Sequence, residues 1–382
     1  MTNVAGTKPA LIWLVHISTV ILVFAWLFPT LGLFVSSFRT NDQISASGWW
    51  RAPLPNMQNL INRTAPPEEQ IEQGGLFVID GELFPADSGI VVERWGVSSR
   101  APQDFAPGDT TEFRSGGSVT IDASGRYRVE HTEALTGKRG KRLFTTARVP
   151  PDFTLDNYDK VLFDDSNVES MGEAFLYTLT VTIPATIIPI MVAAFAAYAL
   201  AWMDFALRPI LIAAIVGLLV VPYQLALIPL LKLHLNIGIG KGYLGVWLAH
   251  TGFGMPMAIY LLRNYMAGLP RDIIESARVD GATDFQIFTR MVVPLSYPAL
   301  ASFAIFQFLW TWNDLLVAKV FLIDSTGNTT VMTARMVELL GTRGGDWDVL
   351  ATSAFVSIVV PLIVFFSLQR YLVRGLLAGS VK

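Results

Sequence analysis

Few residues in this chain have the type and spacing for chemistry, and most of that chemistry is excluded. The 382 residues contain no cysteine, which removes disulfide frameworks, thiol nucleophiles and Cys-ligated zinc. The four histidines, His16, His131, His234 and His250, show no metal-type spacing and read as structural. GKGYLG, Gly240 to Gly245, satisfies G-x-G-x-x-G. A dinucleotide fingerprint needs a strand before it in a βαβ unit, and this one lies in a short loop between apolar runs. No G-x-x-x-x-G-K-[ST] occurs, so the chain has no phosphate loop for ATP. No catalytic residue and no metal ligand is assigned, and no cofactor is expected on this chain. What remains is ESARVDGATDFQIFTRMVVP, residues 275–294. It is polar, carries both charge signs and is flanked by strongly apolar sequence.

This stretch reads as two short helices around a glycine. Pro270 stands near the first helix start, where its missing N–H costs nothing. Asp272 and Glu275 fall in the early turns, favourable for the helix dipole. Ile273, Ile274 and Ala277 share an apolar face. Gly281 ends the helix as a C-cap. Thr283 and Gln286 then have the spacing of a capping box, opening a second helix through Phe285, Phe288 and Val292 that stops near Pro294. The result is a stiff helical elbow with one sticky side, either an interfacial membrane helix pair or a plug for a groove in a partner; Glu275 and Asp280 make it less cationic than a typical lipid-binding helix.

The elements around it must cross a membrane. Hydrophobic residues make up 52% of the chain and charged residues 15%, against about 25% charge in a soluble domain. Six segments reach the roughly 20 apolar residues a spanning helix needs. They run from Ala10 to Phe38, Met171 to Met203, Pro209 to Leu233, Tyr243 to Leu262, Tyr297 to Ile323 and Leu350 to Tyr371. The first is too long for a signal peptide and lacks a cleavage site, so it is read as retained. Six spans place both termini on one side. With that side inside, the inner segments hold Lys8, Arg208, Arg263, Arg271, Arg278, Arg290, Arg370, Arg374 and Lys382, against Lys232, Lys241, Lys319, Arg335 and Arg343 outside. Nine against five favours cytoplasmic termini and a cytoplasmic elbow. The net charge of −3 offers no case for nucleic acid.

Residues 41–168 form a long outer segment. FVIDGELF places Asp80-Gly81 between two apolar runs, a hairpin signal. SVTIDASGRYRVE alternates on both sides of a Gly-containing turn, and GIVVERWGV and RLFTTARV add further strands. A small β-rich extracytoplasmic domain is expected. It is either a decorated loop or a docking surface for an outer partner. The two N-x-T matches, at Asn62 and Asn328, matter only in a eukaryotic secretory setting.

The elbow resembles the EAA loop of permeases in binding-protein-dependent ABC importers, E-A-A-x3-G-x9-I-x-L-P. The chain has Glu275-Ser276-Ala277, three residues, Gly281, nine residues, then Met291-Val292-Val293-Pro294. Ser276, Met291 and Val293 depart from the pattern but are conservative in size. The flanks YLLRNYMAGLPRDIIESARVDGA and FQFLWTWNDLLVAKVFL, with FTLDNY at 153–158 and the tail RYLVRGLLAGSVK, are similar to the maltose-type carbohydrate branch. The insertion at about 40–150 points to α-glucoside-type permeases.

The resemblance implies a fold and an assembly. The chain would be an all-α polytopic membrane protein, the six-helix permease of a type I ABC importer, with the β-rich domain inserted outside. Residues 1–40 would hold the N-terminus and first span, 41–168 the insertion, 169–373 the five-helix core with its coupling loop at 263–296, and 374–382 a cytoplasmic tail reaching toward the ATPase. Glu275, Ser276, Ala277, Asp280, Gly281 and Pro294 would couple to the ATPase: Ala277 and Gly281 by close approach, Glu275 by pairing with a basic residue. Partners would be a second permease subunit, two copies of an ATP-binding subunit carrying ATP and Mg, an extracytoplasmic sugar-binding protein, and membrane lipid. The site would be the bacterial inner membrane.

A translocation path is read from polar and aromatic residues inside spans, which face a bundle interior or a cavity. These are Tyr223 and Gln224 beside Pro222, and Gln307, Trp312 and Asn313 in the fifth span. Aromatic faces and amides suit a sugar; interhelical hydrogen bonding and interface anchoring are the alternatives. The rival readings are an importer for another solute, an exporter, and a membrane-anchored receptor without transport. The elbow spacing and the intramembrane polar residues argue against the last two.

Overall fold

The computed structural model describes residues 9–163, 170–323 and 329–377. Asn328, Lys8, Lys382 and the last residues of the tail lie outside them. Two compact units result, one within 1–157 plus 345–352, the other within 158–344 plus 353–382.

The first unit begins with α1 (Pro9–Ser36) and a short α2 (Asn41–Ala46). Their junction is held by polar groups. Arg39, 1% exposed, donates to the Gln43 carbonyl at 2.6 Å and to the Ser47 carbonyl and hydroxyl at 3.1 and 2.7 Å. Asn157 Nδ2 donates to the carbonyls of Ser37 and Arg39, which lie just beyond the helical hydrogen-bond ladder of α1.

Eight strands follow: β1 (Asn56–Arg63), β2 (Ile71–Gln73), β3 (Leu76–Glu82), β4 (Val91–Gly96), β5 (Thr110–Glu112), β6 (Ser118–Ile121), β7 (Arg126–His131) and β8 (Arg142–Val149). They form two antiparallel sheets, ordered β1-β8-β4 and β2-β3-β7-β6-β5. Period-2 alternation turns one face of β7 inward: Tyr127 and Val129 are buried while Arg126 and Arg128 are exposed. Ile79, Val92, Trp95, Val119, Ile121, Val129 and Leu143, drawn from both sheets, make a single core.

The expected hairpin at Asp80-Gly81 is absent. Strand β3 runs straight through both residues, pairing them with Arg128 and Tyr127. Gly81 is there because a Cβ would lie 2.4 Å from the Tyr127 hydroxyl, a close approach across the sheet rather than a turn. That hydroxyl accepts from the Ala65 amide, and burial raises its pKa from the ordinary tyrosine value. The tight turn falls instead at Gly74-Gly75, where φ of 63° and 82° suits a two-residue type I′ loop between β2 and β3. The turn expected in SVTIDASGRYRVE is present. Asp122 Oδ1 accepts from the Ser124 and Arg126 amides, and Gly125 takes φ 83°.

After α3 (Asp156–Leu162), the second unit is helical throughout: α4 (Met171–Trp202), α5 (Arg208–Leu218), α6 (Tyr223–Asn236), α7 (Tyr243–Ala267), α8 (Arg271–Val279), α9 (Asp284–Ile287), a π turn (Phe288–Val292), α10 (Val293–Leu295), α11 (Tyr297–Trp312), α12 (Leu316–Phe321) and α13 (Met332–Thr342). The last helix, α14 (Trp347–Leu377), has residues in both units.

Among the described residues three helices are long and apolar enough to cross a membrane: α1, α4 and α14. The number becomes five if each of two bent pairs is one span. The third expected span is one of these pairs, with α5 and α6 meeting at 109°. Pro222 explains the bend. It lacks an N–H for the ladder and disfavours helical geometry at Val221. The other bent pair joins Asp284–Leu295 to α11 at 72°, and the fifth expected span also loses its helix after Trp312, at Asn313–Leu315. The fourth lies within α7, which falls outside the apolar set. Its inward face carries His250, Thr251 and Gly254 among alanines and aliphatics.

Candidate functional site

The elbow is assembled as its residue types dictate. Pro270 precedes α8, whose Ile274 and Ala277 are 1% and 6% exposed and pack into the unit core. Gly281 has φ 81°. Its N–H donates to the Arg278 carbonyl at 3.1 Å, and the Ala282 N–H donates to the Ala277 carbonyl at 3.0 Å, the bond pair of a Schellman cap. The capping box closes both ways. The Gln286 amide donates to Thr283 Oγ1 at 3.3 Å, and the Thr283 amide donates to Gln286 Oε1 at 2.9 Å. Ile287, Phe288 and Val292 then turn inward, with the Phe288 ring 4.6 Å from Phe195 and 5.3 Å from Tyr198.

Five of the six proposed coupling residues are at the surface: Glu275, Ser276, Asp280, Gly281 and Pro294. Ala277 faces the elbow's own core. Two apolar side chains are displayed beside the turn: Val279, which sequence reasoning missed, at 87% exposure, and Phe285, already read on the second helix, at 65%. Helical phase signals the first of them. At about 100° per residue, Val279 lies about 200° from Ala277, hence opposite the buried face.

The intramembrane candidates divide into two groups. Gln307 is 2% exposed, and its Nε2 donates to the Ala185 carbonyl at 3.0 Å, joining α11 to α4. Trp312 is equally buried. Its indole N–H donates to the Ser357 carbonyl at 2.9 Å, and its ring meets Phe308 and Phe175. These two hold helices together. Gln224 and Asn313 are exposed and Tyr223 is partly so. Tyr223 packs against Trp310 and Phe253, with centroids 5.6 and 5.4 Å away. His250, fully buried, lies 3.8 Å from Asp314 Oδ2 and edge-on to Trp310. Asp314 Oδ2 also accepts the Val317 amide at 2.8 Å and so caps α12 where the helix resumes.

Gly254 on α7 makes room for this packing. A Cβ there would lie 2.5 Å from Gln307 Oε1. Gly254→Ala is therefore expected to destabilise the unit by about 1–3 kcal/mol. Adding Gln307→Ala should relieve the clash, so the double variant should be more stable than the sum of the two losses. Thermal unfolding in detergent of the four proteins checks it; strict additivity would contradict it.

A stiff, capped elbow with apolar side chains displayed at its turn thus stands among apolar helices. Residues 175–377 match the family described as binding-protein-dependent transport system inner membrane component, and the chain belongs to that family. It is an inner-membrane permease subunit of an ABC importer, and ATP hydrolysis belongs to its ATPase partner. The alpha-glucoside transport system permease protein of Rhizobium meliloti is 56% identical over 380 residues, 98% of either chain. That match takes in the strands as well as the elbow. The osmoprotective compounds uptake permease protein of Synechocystis is 56% identical over 230 residues, 60% of this chain and 76% of its own. The trehalose transport system permease protein of Mycobacterium tuberculosis is 31% identical over 239 residues, 61% of this chain and 84% of its own.

Proposed function

We propose that the chain is one permease half of a type I ABC importer that admits an α-glucoside. The full-length 56% identity to a protein named for that substrate carries the reading. Trehalose, two α-linked glucoses, names another relative and belongs to the same class. The spans are α1, α4, the α5–α6 pair, α7, α11 with α12, and α14. Both termini and the elbow face the cytoplasm, and the paired sheets form an inserted domain outside. A second permease, two ATP-binding subunits holding ATP and Mg, and an extracytoplasmic sugar-binding protein complete the assembly.

Closure of the ATPase pair moves the elbow. Glu275 and Asp280 face the basic residues of the cleft, and Val279 and Phe285 fill its apolar floor. The spans then open toward the loaded binding protein, and sugar passes Tyr223, Gln224 and Asn313, while Gln307 and Trp312 keep α4, α11 and α14 in register. Uptake of labelled α-glucosides by a deletion strain carrying this gene tests the substrate. Competition by osmoprotective solutes, with none by maltose or trehalose, would overturn it.

Val279→Asp and Phe285→Ala are expected to lower recovery of the ATPase subunit with the permease, each by about tenfold, because buried anchors dominate such contacts. Co-purification in mild detergent measures this; unchanged recovery in both would contradict it.

The outer domain contacts the binding protein and raises its concentration near the pore. Asn56 pairs with Val149, so the two ends of the domain lie side by side. Replacing 56–149 with a short Gly/Ser linker should leave the spans and ATPase assembly intact. Uptake should fall most at low binding-protein concentration and recover partly at high concentration. Equal uptake at every concentration would remove that role.

A further inference from the structure

We infer that a polar tie of Tyr198, Asp284 and Arg278 delivers the elbow's motion to α4 and thereby sets how much sugar moves per ATP hydrolysed; this rests on the docking reading above. The Tyr198 hydroxyl donates to Asp284 Oδ1 at 3.0 Å. One Arg278 nitrogen lies 3.4 Å from the same oxygen and 3.1 Å from the Trp202 carbonyl. Three pieces of chain meet there: the end of α8, the first residue of α9 and the last turns of α4.

Each contact has a separate mechanical effect. Arg278 and Asp284 stand on either side of the Gly281 turn, so their pair braces the elbow against opening. Trp202 is the last residue of α4, and its carbonyl has no partner within the helix; a guanidinium there also meets the negative end of the helix dipole. Tyr198 is 5% exposed and fixed against Phe288, so its hydroxyl is an anchor of defined position.

Apolar packing transmits a push to α4 but does not fix the register in which it is received. The contacts of Ile274, Ala277, Ile287 and Phe288 with α4 and α7 are non-directional. Hydrogen bonds depend on distance and angle, so the tie fixes the register in which those surfaces meet. Further along α4, the Ala185 carbonyl holds Gln307, and Phe175 lies against Trp312. A displacement received at Trp202 thus reaches the broken fifth span. The Arg278–Asp284 pair is about half exposed, 46% and 48%, so it adds little to stability. Its loss is read in coupling rather than in assembly.

The test uses the whole complex in proteoliposomes with loaded binding protein, measuring sugar transported per ATP hydrolysed. Tyr198→Phe and Asp284→Ala should each lower that ratio about threefold to tenfold, with subunit recovery unchanged. Their combination should match Asp284→Ala alone, since Asp284→Ala already removes the one contact that Tyr198→Phe removes, along with the pair to Arg278. Asp284→Asn keeps an oxygen that accepts from Tyr198 and should return most of the ratio. An unchanged ratio in Tyr198→Phe and Asp284→Ala, with normal recovery, overturns the inference and leaves docking intact. Failure of Val279→Cys to cross-link to the ATPase subunit in an otherwise wild-type complex overturns docking and the inference with it.

Discussion

Gly281→Val should lower uptake by about tenfold to thirtyfold while the complex still assembles in the membrane. At Gly281 φ is 81°, a left-handed conformation. An L-residue there costs about 1–2 kcal/mol, and a β-branched one lies at the top of that range. Nothing lies within 4 Å of a Cβ built at this position, so the cost is purely conformational. The valine chain would leave the left-handed region, and the bonds from Gly281 and Ala282 to the carbonyls of Arg278 and Ala277 would lengthen or break. Relative to the first helix, Thr283 and everything after it would then change direction. About 2 kcal/mol against the docked geometry is a factor of about thirty in its population. Substitution should rank Gly, Asn, Ala, Val in falling uptake, following tolerance of positive φ. Uptake assays on inverted and right-side-out vesicles with matched subunit amounts measure this. Equal uptake by the glycine and valine proteins would contradict it.

Trp95→Ala should unfold the paired sheets, proposed to lie outside the membrane, without removing the spans. Trp95 is fully buried, its ring 5.2 Å from Phe105 and its indole N–H donating to the Ala106 carbonyl at 2.9 Å. Its own amide and carbonyl exchange bonds with Phe105 at 3.0 Å each. Removing such a ring costs about 3–5 kcal/mol, a large part of the roughly 5–15 kcal/mol that holds a domain folded. Trp95→Phe keeps most of the volume and loses one bond to the Ala106 carbonyl, which the Asp109 amide still reaches at 3.1 Å, and should cost about 1–3 kcal/mol. Protease added outside intact spheroplasts should cut the alanine variant between residues 56 and 149 and spare the phenylalanine variant. Cleavage of neither, or of the wild type equally, would contradict the central place of Trp95.

The elbow was legible in the sequence because its caps are local. Pro270, Gly281, Thr283 and Gln286 act on the backbone within a few residues of themselves, and the spacing that marks them does not depend on the rest of the chain. Gly81 shows the opposite case. Asp-Gly favours a hairpin when only neighbours are considered, yet the residue that decides is Tyr127, which crosses from β7 and leaves no room for a side chain. Gln307 and Trp312 were legible as polar or amphipathic groups inside a span. What they bond to was not, because Ala185 and Ser357 lie far along the chain. The 109° bend at Pro222 was half legible: the proline was visible, but the angle depends on what packs on either side.

The π turn at Phe288–Val292 changes what the spacing between Gly281 and Pro294 means. A turn closed by i→i+5 bonds holds one residue more than an α turn, so the helix carries a surplus residue by widening. Loss of one residue here, Thr289 for instance, would let the turn close as α. The reach would hardly alter, since a residue adds about 1.5 Å along the axis. Phase would hardly alter either, because the widened turn had already absorbed the surplus residue, and the two halves of the elbow would keep their mutual orientation. Val279 and Phe285 would keep the directions they have now. A deletion within α8 would instead rotate whatever precedes it by about 100°, so the π turn works as a washer: a length variant of this gene can lose a residue there without being mistimed.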